Sequence, residues 1–143
     1  MKQKINLIEI INEYLIKNGT SPSELHCQKI IFFCYGLFKK EFKKPLLEKV
    51  DFRAWKYGVV ELNYRKISKG IEKELINNFN CTLTIDEYNY IIKIIDILAK
   101  QSPWTLVELS HASYAWYANY NLNDSKINEQ DIDRTFDNIS VSF

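Results

Sequence analysis

Apolar residues first recur at helical spacing. Ile5, Ile8, Ile11, Leu15 and Ile16 fall near i, i+3 and i+4, which predicts an amphipathic helix over 5–17, stopped by Asn18-Gly19. Ser21-Pro22-Ser23-Glu24 is the next start signal, with Ser21 as N-cap, Pro22 at the first helical position and a glutamate three residues after the cap. The segment behind it, LHCQKIIFFCYGLFKKEF, is apolar nearly all round from Ile30 to Phe38. A helix of that kind is expected at the centre of a fold, contacted from several sides. Lys43-Lys44-Pro45 breaks the pattern, and 46–60 has mixed periodicity, read as an extended insert or a small β-hairpin. Two short helices are expected over 61–69, ended by Gly70, and over 71–79. Thr84 with Glu87 forms a capping box ahead of the most regular stripe: Tyr88, Ile91, Ile92, Ile95 and Leu98. Ser102-Pro103 opens a further helix, 112–125 is polar-aromatic and irregular, and 128–138 closes the chain as a last helix. With no internal repeat or linker, the pattern predicts a mainly α single domain over 1–143.

Composition narrows the function classes. The chain has 143 residues, 46% hydrophobic and 26% charged, with a formal net charge of +1. That balance supports a packed core and offers no general attraction to nucleic acid or to an anionic membrane, so any basic site has to be local. Cys27, Cys34 and Cys81 are odd in number and widely spaced, which argues against a disulfide framework and for a reducing, cytoplasmic setting. The first residues alternate apolar and polar without an unbroken apolar run, so neither a signal peptide nor a membrane span is expected.

Candidate chemistry is sparse. His26 and His111 are the two histidines, and neither has a metal-type partner at i+3 or i+4, so no metal is expected. Cys34 and His111 could be drawn as a nucleophile pair, but Cys34 sits within IIFFCYG, where a thiol acts as a small buried hydrophobe. With four glycines the chain has little from which to build a phosphate-cradling loop. Lys39, Lys40, Lys43 and Lys44 read as favourable charge at a helix C-terminus. What remains is aromatic: Phe52, Trp55, Tyr57 and Tyr64 in one cluster, and Trp104, Tyr114, Trp116, Tyr117 and Tyr120 in another. Such residues anchor small cores when buried and dominate protein–protein hot spots when exposed.

Three blocks resemble a known family. Leu25, Gln28, Lys29, Phe32, Tyr35 and Gly36 lie on the first; Pro45, Leu46, Ala54, Trp55, Lys56, Tyr57, Gly58 and Val60 on the second, within KPLLEKVDFRAWKYGVV; Leu109, Ser110, His111, Trp116, Ile127, Ile132 and Phe136 on the third. The chain is similar to the Panacea domain family, also described as SocA-like or phage-associated GepA-like. One departure stands out: Val59 occupies the place where the family typically has proline, which predicts a looser exit from Gly58 or a drifted partner surface. The resemblance implies an antitoxin that neutralises a cognate toxin by direct binding, without enzymatic activity or cofactor. One branch of the family acts instead as a proteolytic adaptor handing its toxin to an ATP-dependent protease. On this reading Trp55, Lys56, Tyr57, His111 and Trp116 lie together as partner-binding residues. Gln28, Lys29, Tyr35, Gly36 and Gly58 form the structural motif. Trp55 would anchor the loop, with Lys56 and Tyr57 pointing outward and Gly58 permitting a sharp turn or a close backbone approach.

Overall fold

The structure, a computed structural model, describes residues 2–139. It is mainly helical, with two small antiparallel two-stranded sheets. The order is β1 (Lys2–Asn6), α1 (Leu7–Lys17), α2 (Glu24–Phe42), β2 (Phe52–Trp55), β3 (Gly58–Glu61) and α3 (Leu62–Ser68), then a 3-10 segment (Lys73–Phe79) and β4 (Asn80–Thr84). After these come α4 (Ile85–Ala99), α5 (Pro103–His111), α6 (Tyr114–Tyr117), a 3-10 turn (Asn123–Ser125) and α7 (Glu129–Asp137).

α2 is the axis of the molecule, as its all-round apolar surface predicts. Every residue from His26 to Phe38 is buried, and α1, α4, α5, α7 and β3 all pack on it. Its start differs from the sequence expectation. Ser23, not Ser21, is the N-cap: its hydroxyl accepts the His26 N–H at 3.2 Å, and Pro22 stays outside the helix. The shift places Glu24 in the first turn, where it meets Arg65. Near the other end, Tyr35 and Gly36 seat α7. Tyr35 donates its hydroxyl to Glu129 Oε1 at 2.7 Å, and Lys39 pairs with Glu129 and Asp133 at 2.8 and 2.9 Å. A Cβ on Gly36 would run into the Phe136 ring. α7 therefore approaches α2 as closely as it does because that one position has no side chain.

The amino terminus departs from its helical reading. Ile5 belongs to β1, which pairs with β4 in the register Lys2↔Thr84 through Asn6↔Asn80. Asn6 ends the strand and starts α1: its side-chain oxygen accepts the Glu9 N–H at 3.3 Å, and its amide donates to Ile76 O at 2.9 Å. β4 has no counterpart among the expected elements, although Cys81 and Leu83 are buried and alternate with exposed Asn80, Thr82 and Thr84, the period of a half-buried strand. The expected helix over 71–79 is a 3-10 segment that begins at Lys73. By contrast, the Thr84–Glu87 capping box is complete in both directions, at 3.2 and 2.8 Å, and Ser102 caps α5 with Pro103 in its first turn.

Candidate partner-binding site

The insert over 46–60 resolves into a hairpin. β2 and β3 pair as Phe52↔Glu61, Arg53↔Val60, Ala54↔Val59 and Trp55↔Gly58, leaving Lys56-Tyr57 as the turn. Gly58 takes φ 102° and absorbs the tight reversal. A Cβ there would lie 2.7 Å from Ser110 Oγ and 2.8 Å from Lys29 Cε, so the glycine also permits a close approach of backbone to two side chains.

In an antiparallel pair, alternate residues turn their backbone groups away from the partner strand. For β3 those residues are Val59 and Glu61, and side chains from α2 and α5 satisfy both. The Val59 N–H donates to Ser110 Oγ at 2.8 Å, and its carbonyl accepts from Lys29 Nζ at 2.9 Å. Gln28 acts as a false strand: its oxygen accepts the Glu61 N–H at 2.7 Å while its NH2 donates to Glu61 O at 3.1 Å. All of these groups are buried, where an unmet backbone polar group would be costly. The outer edge of β2 is met by Ile127, whose N–H donates to Phe52 O at 3.0 Å. The hairpin is thus tied on both edges, so the looser exit from Gly58 expected of Val59 does not occur. Val59 is buried, and it supplies the N–H that a proline would lack.

Glu61 ties the hairpin to α3. Its carboxylate accepts N–H groups of Asp51 at 2.8 Å and Tyr64 at 2.7 Å, capping that helix. Burial holds the carboxyl above its usual range, a rise only partly opposed by those donors.

The turn is held from α5 and α6. The Trp116 Nε1–H donates to Trp55 O at 2.6 Å, and His111 Nε2 lies 2.9 Å from Lys56 O, so that nitrogen carries the proton. The two rings lie 4.1 Å apart, and Tyr120 also stacks on Trp116 at 4.7 Å. Trp55, Lys56, Tyr57, His111 and Trp116 are therefore neighbours, as expected, but their tasks differ. His111 and Trp116 are half-buried and spend their polar atoms on the backbone of the turn. Trp55 does not anchor the loop from inside. Its ring is on the surface, 36% exposed, with the Arg65 guanidinium 5.1 Å from the ring centre. Tyr57 is 50% exposed and meets Trp104, itself 58% exposed, edge to face at 5.8 Å.

Ser110 belongs to the third block of the resemblance, where sequence alone assigns it no role. A signal for it is nonetheless present, since it is a polar residue on the buried face of Leu106 and Val107. Cys34 is fully buried, and burial pushes its thiol far up. The lysine cluster is largely occupied by partners the helix-end reading did not foresee: Lys39 with Glu129 and Asp133, Lys44 with Glu87 at 2.5 Å, and Lys40 with the Ile139 carbonyl. Among the described residues no three His, Cys, Asp or Glu side chains are grouped to hold a metal ion, and no helix is long and apolar enough to cross a membrane.

Fold and site together define a helical scaffold that clamps an aromatic-tipped hairpin against its central helix. A sequence model of the antitoxin SocA-like family, Panacea domain, matches residues 27–117, well over half of the chain, and the protein belongs to that family. The matched span holds the hairpin and its clamps on α2, α5 and α6, from Gln28 and Lys29 to His111 and Trp116. It stops before α7, so Ile127, Ile132 and Phe136 of the third block lie outside it. Comparison with curated proteins and with solved structures found no match.

Proposed function

We propose that this protein is the antitoxin of a toxin–antitoxin pair and neutralises its toxin by direct protein–protein binding, without catalysing a reaction. Family membership supports the antitoxin role. The observation that carries the binding mode is the exposure of Trp55, Tyr57 and Trp104 beside a hairpin whose backbone is held rigid by buried and half-buried side chains of α2, α5 and α6. Rigid exposed aromatics lose little entropy on docking and are the side chains that carry most of an interface's energy. The three cysteines are free and buried, in keeping with a cytoplasmic protein.

The test is co-expression with the open reading frame beside its gene. The expected result is that the neighbour arrests growth alone, that this protein relieves the arrest, and that the two are recovered as a complex. A neighbour that is harmless alone and forms no complex removes the proposal. Neutralisation by occlusion also expects the toxin's half-life to be unchanged or longer in the complex. A shortened half-life would reassign the protein as a proteolytic adaptor.

A further inference from the structure

Beside the hairpin tip lies an open groove of about 360 Å³, bordered by Leu25, Lys29, Trp55, Lys56, Tyr57 and Val60 together with Glu24 and Arg65. Its charges do not balance. Glu24 pairs with Arg65 at 2.9 Å and Lys69 at 3.8 Å and its charge also acts on Lys29, so one carboxylate faces the three cations Lys29, Lys56 and Arg65 on the groove's border. Among the described residues neither Lys29 nor Lys56 is in an ion pair with a carboxylate. Lys56 is exposed, its ammonium 5.4 Å from the centre of the Tyr57 ring. Lys29 is 0% exposed, and among the described residues its ammonium has one hydrogen-bond acceptor, the neutral carbonyl of Val59, for three N–H donors. A buried, incompletely satisfied cation bordering a groove is a site short of an anion. Apart from Gln28, whose amide is spent on the Glu61 backbone, the remaining borders, Trp55, Tyr57, Leu25 and Val60, are apolar or aromatic, so the missing group comes on an aliphatic stem and not as a free, fully hydrated ion.

We propose that this groove receives a single aspartate or glutamate side chain of the protein partner, its carboxylate pairing with exposed Lys56 within the field of the buried Lys29 ammonium and its stem lying against Trp55 and Tyr57. The inference rests on the toxin-binding reading and adds to it the chemistry of the anchor. It also accounts for a lysine kept at a position where burial lowers its pKa to about 8: the cost is borne in the free protein and recovered when the partner's charge arrives.

The experiment uses the whole protein and two small probes, N-acetyl-glutamate methylamide and its glutamine counterpart, titrated by amide NMR with Lys29 followed through 13C-labelled lysine. The glutamate probe is expected to shift the Gly58, Val59 and Ser110 amides at least tenfold more tightly than the glutamine probe, and to raise the Lys29 pKa in the unmutated protein. Lys56→Met, a surface change, should weaken the glutamate probe several-fold and leave the glutamine probe unaffected. Equal binding of the two probes, no binding of either, or an unmoved Lys29 pKa would overturn the groove. Failure of the anchor and failure of the antitoxin role are distinguishable. A toxin complex that forms but is indifferent to Lys56→Met and leaves the Lys29 pKa unchanged sinks the anchor and spares the antitoxin. Glutamate binding without any toxin complex does the reverse.

Discussion

Ser110 shows what a single side chain does here. It sits on the buried face of α5 and accepts the N–H of Val59, a donor with no other partner in the hairpin. Ser110→Ala leaves that N–H buried and unmet, which costs on the order of 1–3 kcal/mol of stability in urea unfolding; Ser110→Thr, which keeps the hydroxyl, should recover much of it. Two buried bases make stability pH-dependent. The folded pKa of Lys29 is about 8, below the unfolded value near 10.4. The unfolded chain therefore binds more protons between those limits, and this residue makes stability rise with pH across that window. Lys29→Met should flatten the rise. His26 is 1% exposed, and burial lowers its pKa. The carbonyls of Leu98 and Gln101 lie close enough to oppose this in part, yet neither makes a well-formed hydrogen bond with the ring. The same sign holds at lower pH: its share of stability is intact above about 6.5 and is lost as pH falls below that unfolded value. Denaturation midpoints of His26→Leu and the parent, compared between pH 7 and pH 5, should converge or cross towards acid; a constant gap would show that His26 does not titrate.

At the scale of elements, the docking of α7 on α2 turns on Gly36. Alanine is the better helix former by about 1 kcal/mol, so Gly36→Ala in an isolated helix would stabilise. Here the added methyl meets the Phe136 ring in a packed contact, and overpacking costs roughly 1–3 kcal/mol. The expected result is a lower melting temperature, partly restored by adding Phe136→Leu; a higher melting temperature would contradict the packing described. Removing the hydroxyl that opens α4, by Thr84→Ala, should cost about 1 kcal/mol in the same measurement. Element starts such as this one are legible in the sequence because the capping residues are local: Thr84 and Glu87 are three residues apart, and Ser102 precedes Pro103. β1 is not legible, because KQKIN contains one apolar residue and shows no alternation by itself. Its strand conformation comes from pairing with β4, more than seventy residues away in sequence.

For the whole molecule, the aromatic face separates binding from stability. Trp55, Tyr57 and Trp104 lie on the surface, so alanine at each should change the unfolding free energy little. The loss should appear instead in toxin affinity, by about 2 kcal/mol or more at the strongest position, roughly thirtyfold in Kd. His111→Ala and Trp116→Ala are expected to behave differently, loosening the turn and lowering affinity and stability together, since their ring N–H groups hold Lys56 O and Trp55 O. Calorimetric titration with the toxin and thermal melts of the same variants check both statements. Equal losses of stability across all five would mean that the face is only a packing surface.

Local sequence determined most of the helices and where α4 and α5 begin, that α2 lies at the centre, and which residue types gather near the hairpin; it missed α6 within 112–125 and the 3-10 form of 73–79. These depend on periodicity, caps and composition, which act over a few residues. The division of labour among the motif residues was decided only in three dimensions. Gln28, Lys29 and Ser110 complete the edge of β3, Tyr35 and Gly36 receive α7, His111 and Trp116 grip the turn, and Trp55 faces outward. The reason is physical: the backbone groups of a hairpin edge and the ring that fills a glycine's empty place come from segments far away in the chain, and their positions exist only once α2, α5 and α7 have packed.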